Sequence, residues 1–590
     1  MQTLPQYIVD ALSRPRPRAF AERLGEKEWR FTSSREMLER ASSIASAVRF
    51  SGIDRGDRVA LIADNRVDWI AANFGILLAG CVVVPVFATL AYDQMDFIFV
   101  DSGAKLAFVE STAMAERIRA HCPNAPRMVV FDGQGNDSLA TFEAGGAMNL
   151  EKGRAVLATF TASVVPSDLA VLIYTSGTTG NPKGVMLSHG NLTSNAIDTF
   201  ATGFEDMQPD DSVLSVLPFA HVYEFIDVLG VIQFDWRFYI TRPEYLVDDL
   251  KSVRPATMAL VPRIFERLLA ALYARARAEG GLKAKLVPWA LGIGREYAEA
   301  TVDGGVAPVL LSAKYALAQR LVLSKIKPML GLDRVRGLAS GSAPLHRDIA
   351  LTFAGLGIPI SEGYGLTETS PVVTASKLGA LRYGSVGRPI ANVQVKIADD
   401  GEILVKGPNV MLGYYNLPGE HPFTDDGWFM TGDVGRLDAD GYLYITDRKK
   451  ELIKTSAGKY VAPGRVESAL KRSSYIAQVL VVGDGRPYPA ALIAPNWELV
   501  RSEFSVPADV PTSAIAQRTD VEDFIRKEAT EMSADLASFE QIRRIALLPR
   551  DLTIEDGELS PTLKVKRRVV ESRYADLVER AYAARELVKK

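Results

Sequence analysis

Cysteine and histidine are scarce in this sequence, with two cysteines and five histidines among 590 residues. Cys81 and Cys122 are too few for a disulfide framework and lack the spacing of a zinc site. The histidines are scattered along the chain without the short spacing of metal ligands. These scarcities argue against a cysteine- or histidine-based metal site and predict a cytoplasmic protein in a reducing compartment.

A strong excess of charge of one sign is also missing. The formal net charge is -3, and 24% of the residues are charged. A protein whose main partner is nucleic acid or an anionic membrane usually carries a clear positive excess, because the phosphates have to be neutralised. The composition therefore predicts no nucleic-acid partner and argues against an anionic membrane as the main partner.

No apolar run in the sequence is long enough to cross a membrane. The most hydrophobic stretch, 74–90, is interrupted by Gly75, Gly80 and Pro85, and it predicts a helix end followed by a strand. The N-terminal residues lack the basic-then-apolar layout of a signal peptide. We expect no spanning segment, whereas peripheral membrane contact stays open.

Two patterns of predicted secondary structure follow one another along the chain. From about 28 to 375, short apolar strands alternate with helical patterns such as 262–278. Such alternation predicts an α/β fold of doubly wound, mostly parallel sheets with helices on both faces. From 380 to 446, Asp-Gly turns join the strands instead, and this pattern predicts a small antiparallel β unit.

A basic run begins directly after Asp447 and marks the expected domain boundary. We predict a large N-terminal domain over 1–447, which includes the antiparallel unit, and a smaller α+β domain over 448–590. A chain of this length suits one large domain and one smaller domain.

The most informative segment is the loop Tyr174–Gly184, which holds four hydroxyl side chains, three glycines and one lysine. It follows the apolar run 169–174, which predicts a buried strand. Glycine-rich turns expose backbone N–H groups that bind anions, and hydroxyl and ammonium groups complete a phosphate site. A Walker A loop is excluded because Lys183 follows a proline and precedes a glycine. The alternative is a solvated surface loop.

Further functional groups stand in four later segments and at His221. Residues 363–369 combine an aromatic ring, two hydroxyls and a carboxylate, and Asp433 lies in a tight turn. The basic run 447–450 lies on the boundary, and Lys564 lies in a basic cluster near the C-terminus. Each has an ordinary structural explanation, such as a turn residue, a solvated lysine or a core histidine.

The order of all these segments resembles the adenylate-forming superfamily, which includes acyl-CoA synthetases, nonribosomal adenylation domains and luciferases. The resemblance extends from residue 28 to Lys564. Four segments are most similar to long-chain acyl-CoA synthetases, namely 261–267, 360–369, 447–454 and 561–567.

This resemblance implies an AMP-forming fatty acid–CoA ligase that uses ATP, Mg²⁺ and CoA. The fatty carboxylate attacks the α-phosphorus of ATP and yields acyl-adenylate and pyrophosphate, after which CoA takes the acyl group and AMP leaves. No general base is needed, because the acid is already ionised at neutral pH. In this superfamily the C-terminal domain rotates between the two steps.

The resemblance also implies roles for individual residues of the first step. The β- and γ-phosphates are expected at Thr175, Ser176, Gly177, Thr178, Thr179, Gly180 and Lys183. Mg²⁺ is expected on Glu368 and Thr178, with Thr367 at the α-phosphate. The adenine is expected among Gly341, Ser342, Ala343, Pro344, Gly363, Tyr364 and Gly365. Asp433 and Arg448 would bind the ribose, and Lys564 would bridge ribose and carboxylate oxygens.

Other residues are implied in the second step and in acyl binding. Lys450 is expected to be the pivot of the rotation, and Gly458 and Lys459 are expected to reach the pantetheine channel. Ala457 replaces the first of two adjacent glycines there, so its methyl group could narrow the channel. His221 is counted among the catalytic residues. The acyl pocket is expected beside the helix 225–234, whose apolar residues would equally suit a helix core.

Three alternatives stay open. A fatty-acyl-AMP ligase usually carries an insertion near the domain junction, but only fourteen residues separate Asp433 from Arg448. A non-catalytic ATP- or fatty-acid-binding protein would not need Lys183, Glu368 and Lys564 together. A ligase for an aryl or another carboxylic acid is not excluded, and the sequence leaves a homodimer open.

Overall fold

The computed structural model describes residues 1–175, 182–204, 206–449, 451–456, 458–560 and 564–583, apart from the side chains of 150–161 and 303. Helices and strands alternate in the first part of the chain. They are α1 (Leu4–Leu12), β1 (Phe20–Gly25), β2 (Glu28–Thr32), α2 (Ser34–Phe50), β3 (Arg58–Ile62), α3 (Val67–Leu78), β4 (Val82–Val86), α4 (Tyr92–Ser102), β5 (Leu106–Val109), α5 (Thr112–His121), β6 (Arg127–Val130), α6 (Leu139–Ser163), β7 (Leu169–Thr175), β8 (Lys183–Ser188), α7 (His189–Gly203), β9 (Ser212–Ser215), α8 (Val222–Gln233), β10 (Arg237–Ile240) and α9 (Leu246–Val253).

The middle of the chain continues this alternation and then changes to short strands. Its elements are β11 (Ala259–Leu260), α10 (Pro262–Glu279), α11 (Lys283–Thr301), α12 (Val309–Ala318), a π-helical turn (Gln319–Leu323), α13 (Ser324–Leu330), β12 (Leu338–Ser340), α14 (Arg347–Gly355), β13 (Ile360–Gly365), β14 (Val372–Ala375), β15 (Arg388–Pro389), β16 (Gln394–Ile397), β17 (Glu402–Lys406), β18 (Gly413–Tyr414), β19 (Phe429–Leu437) and β20 (Leu443–Arg448). Short 3₁₀ turns lie at Gly135–Asp137, Val302–Gly304, Thr367–Thr369 and Leu378–Ala380.

A seven-stranded sheet in the order β18-β8-β7-β4-β3-β5-β6 forms the centre of the N-terminal part. The five strands from β7 to β6 in this order are parallel, and β8 and β18 are added antiparallel at one edge. All five residues of β4 are buried, because helices cover both faces of the sheet. Alternate residues of β3 face different cores: Val59 packs on the side of α2 and α3, and Ala60 packs on the side of α4 and α5. The predicted doubly wound α/β architecture is confirmed.

Three further sheets complete the N-terminal part. One has the order β2-β1-β10-β9, and a second has the order β11-β12-β13-β14-β15 with parallel pairing from β11 to β13. The third, β16-β17-β19-β20, is antiparallel throughout. It corresponds to the antiparallel unit that the Asp-Gly turns predict, and a positive φ of 86° at Gly401 closes its first hairpin.

The C-terminal part is a separate arrangement of short strands and helices. It contains β21 (Ile453–Lys454), β22 (Tyr460–Val461), α15 (Pro463–Leu470), β23 (Ile476–Val482), β24 (Ala490–Pro495), α16 (Trp497–Glu503), α17 (Thr512–Ile515), α18 (Thr519–Met532), β25 (Ile545–Leu547), α19 (Arg567–Arg573) and α20 (Ala575–Ala583). Its two buried apolar clusters draw their residues from 453–581. One hydrogen bond to the N-terminal part runs from Arg263 Nη1 to the carbonyl oxygen of Ala477 at 2.7 Å. The boundary after 447 remains a prediction.

Two helices behind strand β13 approach each other at the level of the backbone. A Cβ atom at Gly355, the last residue of α14, would lie 2.3 Å from the carbonyl carbon of Gly294 in α11. Backbone atoms cannot yield as a flexible side chain can, so the two helices pack this closely only without a side chain at 355. The chain leaves α14 here and enters β13 five residues later, so this contact helps to position the strand that carries several predicted site residues.

Gly355→Ala is therefore expected to destabilise the protein by about 1–3 kcal/mol, the usual cost of overpacking. Gly292→Ala in α11 is the matched control, because its Cβ would meet nothing within 4 Å. Alanine there should instead stabilise the helix by up to about 1 kcal/mol. Thermal denaturation of both variants checks the pair, and equal midpoints would contradict the described helix contact.

Candidate active site

One large cavity, of about 1490 Å³, lies between the two parts of the chain. Its wall includes Thr175, Lys183, His221, Gly341, Ser342, Gly363, Tyr364, Gly365, Thr367, Glu368, Arg448 and Lys564. Twelve of the predicted site residues thus face a common space, although they are spread over nearly 400 positions of the sequence.

The predicted phosphate loop joins two antiparallel strands. Thr175 ends β7 and is paired in register with Lys183, which begins β8. In a Walker A site the loop opens a helix, so the strand that follows here confirms that the loop is of another kind. Lys183 Nζ forms an ion pair with Glu420 Oε1 at 2.6 Å and lies 5.3 Å from the centre of the Tyr414 ring. Five further predicted loop residues lie outside the described residues: Ser176, Gly177, Thr178, Thr179 and Gly180.

Glu368 is held at the cavity wall by a short 3₁₀ turn that follows β13. The hydroxyl of Tyr414 donates to Glu368 Oε1 at 2.9 Å. The backbone N–H of Met411 donates to the Glu368 carbonyl oxygen at 2.8 Å. Thr367, the preceding residue, lines the cavity beside it. One carboxylate that faces an open cavity fits Mg²⁺, which binds through one or two protein carboxylates together with phosphate and water oxygens.

Among the described ranges, no three His, Cys, Asp or Glu side chains cluster in a way that could hold a metal ion by themselves. A metal at Glu368 would therefore have to share its coordination with a ligand in the cavity.

Asp433 connects three strands through its buried carboxylate. Tyr364 Oη, from β13, donates to Asp433 Oδ2 at 2.7 Å, and Arg448 Nε, from β20, donates to Asp433 Oδ1 at 3.1 Å. The Asp433 side chain is 6% exposed, whereas the Arg448 side chain is 51% exposed and faces the cavity. Burial raises the pKa of Asp433, and the Arg448 guanidinium acts in the opposite direction. Asp433 itself does not line the cavity, whereas the exposed Arg448 guanidinium beside it does.

Glycine residues shape the part of the cavity wall where the adenine is expected to bind. A Cβ atom at Gly341 would lie 3.0 Å from the Tyr223 ring, and one at Gly365 would lie 1.8 Å from the carbonyl oxygen of Pro371. Ser342 lines the cavity with a φ of 68°. Ala343 and Pro344 are exposed and lie off the cavity wall, so their predicted contact with the base finds no support in this geometry.

Lys564 reaches the cavity from the C-terminal part. A pair of backbone contacts holds it: the N–H of Ser560 donates to the Lys564 carbonyl oxygen at 2.8 Å, and the N–H of Lys564 donates to Ser560 Oγ at 3.0 Å. Desolvation in the cavity and the Arg448 guanidinium lower the pKa of Lys564 to about 8, against the opposing effect of Asp433. The residue as a whole is still open to solvent, so the cavity walls rather than full burial set this value.

His221 caps helix α8 and is neutral. Its Nδ1 accepts a hydrogen bond from the backbone N–H of Tyr223 at 3.1 Å. Burial, together with the nearby Lys564 ammonium, lowers the pKa of His221 to about 3. A neutral imidazole can position a ligand through hydrogen bonds but carries no proton to donate as an imidazolium at physiological pH.

Of the residues predicted for the second step, Gly458 and Lys459 are described by the structure, and they do not line this cavity. Gly458 and Lys459 lie in the turn between β21 and β22, where the N–H of Lys459 donates to Thr455 Oγ1 at 3.1 Å. Both residues are exposed. Lys450 and Ala457 lie outside the described residues.

The sequence of helix α8 left two interpretations open, the lining of an acyl pocket and a helix core. The packing of the helix decides between them. Val231 lines the cavity, but the other apolar side chains of the predicted lining belong to the buried core. These core residues are Phe225, Ile226, Val228, Leu229 and Ile232. The helix-core interpretation is therefore right for most of them, because α8 packs against α1 and α7 as well as facing the cavity.

The sequence analysis missed several polar partners. Tyr414 and Glu420 hold the predicted Glu368 and Lys183, and Glu402 accepts from the backbone N–H of Gly432 at 2.8 Å and from Lys449 Nζ at 2.9 Å. For Tyr414 the sequence did offer a signal, because this residue belongs to a tyrosine pair that follows a glycine and ends at Tyr415. The acids carry no distinguishing motif.

Two family models match the chain. The model of AMP-binding enzymes matches residues 10–415, and that of the AMP-binding enzyme C-terminal domain matches residues 450–586. The chain is 33% identical over 574 residues to the long-chain-fatty-acid–CoA ligase FadD15 of Mycobacterium bovis, covering 95% of this chain and 94% of that protein. It is 29% identical over 609 residues to the long-chain-fatty-acid–CoA ligase 1 of Homo sapiens, covering 95% and 83%, respectively.

Solved structures share the fold. The adenylation domain of a carboxylate reductase from Mycobacterium chelonae superimposes with a TM-score of 0.74 at 23% identity, covering 98% of this chain and 91% of that one. ATP-bound MatB from Rhodopseudomonas palustris gives a TM-score of 0.72 at 23% identity, covering 98% and 99%. The large and small parts described above thus have counterparts in known enzymes.

The lowered pKa of His221 gives a prediction that needs no ligand. Because its pKa is lowered to about 3, the His221 ring signals should stay constant between pH 5 and 8 in NMR spectra of protein with isotope-labelled histidine. The chain has five histidines, and the variant His221→Gln identifies the signal by its loss. A titration midpoint of that signal between pH 5 and 8 would contradict the described surroundings of the ring, including the nearby Lys564 ammonium.

Proposed function

Because the chain belongs to the family of AMP-binding enzymes, we propose that it is a long-chain fatty acid–CoA ligase that cleaves ATP to AMP and pyrophosphate. The observation that carries the proposal is the position of Lys564. This lysine of the C-terminal part faces the same cavity as Glu368, Tyr364 and Arg448 of the N-terminal part. A cation at this place can neutralise charge between two anionic reactants, as the formation of an acyl-adenylate requires.

In the first step the fatty carboxylate attacks the α-phosphorus of ATP. Lys564 would contact the carboxylate and ribose oxygens, and Thr367 would contact the α-phosphate. Lys183, together with the loop before it, would hold the β- and γ-phosphates and would exchange its contact with Glu420 for them. Since the carboxylate is already ionised at neutral pH, no proton has to be removed before attack.

The ribose and the base would be held on the opposite side of the nucleotide. The fixed carboxylate of Asp433 can accept hydrogen bonds from the ribose hydroxyls, and Arg448 supplies a donor beside it. Tyr364 presents its ring to the cavity while its hydroxyl is bound to Asp433, so the ring can stack on adenine. Gly341 and Ser342 would form the facing wall.

Mg²⁺ would be bound by Glu368, with Tyr414 fixing the orientation of the carboxylate. The ion would supply charge neutralisation on the phosphates. Thr178, the second expected ligand, belongs to the loop outside the described residues.

The second step needs a rotation of the C-terminal domain about Lys450, and the residues on either side suit a pivot there. Lys449 is bound to the N-terminal part through ion pairs with Glu402 and Asp400. Glu451 is bound to the C-terminal part, because its Oε2 accepts from Arg567 Nε at 3.2 Å. The rotation would withdraw Lys564 and bring Gly458 and Lys459 to the CoA channel. We place the domain boundary accordingly at 447–448.

A fatty acid dissolves in membranes, and one surface of the protein suits contact with an anionic bilayer. Five large apolar residues in and beside α12, the 306–321 face, are 42–91% exposed: Val306, Val309, Leu310, Leu317 and Leu321. Lys314, Arg320 and Lys325 are exposed among them, and residues 304–332 contain no acid. Apolar side chains with basic neighbours are typical of helices that lie in the membrane interface. In the described part of the chain, no helix is long and apolar enough to cross a bilayer.

Replacing Lys564 by alanine should separate the two steps. We expect Lys564→Ala to lower fatty-acid-dependent pyrophosphate release by at least about 10²-fold, as for the loss of one electrostatic contact to the transition state. Thioester formation from supplied acyl-adenylate and CoA should be largely retained. Lys527→Ala, an exposed lysine of the same part of the chain, serves as the control.

Both products must be assayed against a panel of carboxylic acids. Equal loss of the two steps would contradict the role of Lys564. Pyrophosphate without thioester from every acid would indicate a fatty-acyl-AMP ligase instead. Preference for an aryl acid would refute the long-chain assignment.

The 306–321 face is tested with vesicles of phosphatidylcholine and phosphatidylglycerol. Leu310→Glu combined with Leu317→Glu should lower co-sedimentation by about tenfold or more, since both apolar and charge complementarity are lost. Leu24→Glu, at a leucine that is 63% exposed elsewhere, should bind like the unchanged protein. Unchanged binding of the double variant would contradict this assignment, and dimers in solution that the double variant abolishes would indicate a second copy of the chain on this face.

A further inference from the structure

The cavity wall formed by α8 contains a carboxyl group that the proposed reaction does not use. Tyr223, Asp227 and Val231 are spaced four residues apart, so they form one stripe along the helix, and all three line the cavity. Asp227 is 8% exposed. It lies six residues beyond His221, which corresponds to about 9 Å along the helix axis. Asp227 therefore lies about one and a half helical turns beyond His221 along the same cavity wall.

The part of the cavity around Asp227 is mostly apolar. Phe200 of α7, Phe204 directly after that helix, Val213, Val231 and Trp236 line the cavity. A Cβ atom at Gly230 would lie 2.1 Å from the Phe200 ring, so α7 and α8 pack tightly at this level. An alkyl chain would find favourable surroundings here, apart from the carboxyl group.

Asp227 forms no hydrogen bond or ion pair with the residues that the structure describes. Three other polar side chains of the wall share this property. The Oγ1 atoms of Thr199 and Thr257 and the Oγ atom of Ser340 are buried without a hydrogen-bond partner in the described ranges. Each of these residues is at least nine-tenths buried.

Glu224, one turn earlier on α8, provides the contrast. It is 1% exposed, and its Oε1 accepts a hydrogen bond from Ser215 Oγ. Its carboxyl group belongs to the core between α8 and β9, whereas that of Asp227 belongs to the cavity. The second oxygen of Glu224, Oε2, is also buried without a hydrogen-bond partner in the described ranges, but Glu224 does not line the cavity, whereas Asp227 does.

A buried polar group without a partner costs about 1–3 kcal/mol, so a carboxyl group in this wall disfavours a plain alkyl chain as the ligand. A leucine or valine side chain in place of Asp227 would suit a plain alkyl chain better. Burial raises the pKa of Asp227, which lies near the buried carboxyl group of Glu224, and so favours the neutral acid, which both donates and accepts hydrogen bonds. Its natural complement is a neutral group that does the same, such as a hydroxyl.

We propose that Asp227 recognises a hydroxyl group on the acyl chain, so that the cavity takes hydroxylated fatty acids in preference to unsubstituted acids of the same length. This inference rests on the proposed ligase function for its substrate and adds the substrate class. Thr199 and Thr257 offer further hydrogen bonds in the same wall. A site that hydrogen-bonds a substrate hydroxyl rejects the analogue without it far more strongly than an apolar pocket can reject an added hydroxyl.

The test compares dodecanoate with a series of hydroxydodecanoates that differ in the position of the hydroxyl group. For the unchanged enzyme we expect kcat/KM for at least one member of the series to exceed that for dodecanoate by about tenfold or more, as for one hydrogen bond worth about 1.4 kcal/mol. Asp227→Leu should abolish this preference and raise kcat/KM for dodecanoate. Asp227→Asn, which keeps the hydrogen-bonding capacity, should retain part of the preference.

Binding of the same acids, measured by calorimetry, separates this inference from the proposed ligase function. If no acid yields pyrophosphate or thioester, the ligase proposal fails, while tighter binding of a hydroxy acid to the unchanged protein than to Asp227→Leu would still support the role of Asp227. If dodecanoate is preferred over the whole series and Asp227→Leu leaves the ratio unchanged, the inference is overturned, and water rather than substrate satisfies Asp227.

Discussion

The bonding of the Asp433 carboxylate is the interaction on which the rest of the site depends. It accepts hydrogen bonds from Tyr364 of β13 and Arg448 of β20, so a single buried acid connects the mixed sheet with the antiparallel unit. A buried carboxylate is costly unless both of its oxygens are satisfied, and here each oxygen has a donor. The same two donors present a ring and a cation to the cavity, so the bond that fixes the strands also fixes the site.

Charge in the cavity is balanced across the two parts of the chain. Arg448 lies at the end of β20, next to the predicted boundary, and Lys564 comes from the C-terminal part. Desolvation lowers the pKa of Lys564, repulsion from the Arg448 guanidinium lowers it further, and Asp433 and Glu368 act in the opposite direction. Anionic ligands would relieve the same repulsion. The arrangement of like charges around an open space thus favours the binding of phosphates and a carboxylate.

Much of the fold could be predicted from the sequence. Buried strands such as β4 are continuous apolar runs, and the Asp-Gly turn at Gly401 specifies a hairpin by its backbone conformation alone. The site was predictable where a motif combined rare residue types, as at Lys183. It was not predictable for Tyr414 and Glu420, because a tyrosine or an acid in a loop has no pattern that distinguishes it from a solvated residue.

By itself the sequence determined the fold class, the family resemblance and the identity of twelve residues of the cavity wall, because glycine, lysine and acid in a fixed order leave few alternative chemistries. Only the tertiary structure decided which side of each element faces the cavity. Helix α8 is apolar on nearly all sides, and an apolar pattern is the same whether it meets a core or a pocket. Its packing against α1 and α7 turns Val231 and Asp227 toward the cavity and Phe225 into the core. Which side chains of α8 face the cavity depends on neighbours that are distant in sequence, so local periodicity does not reveal it.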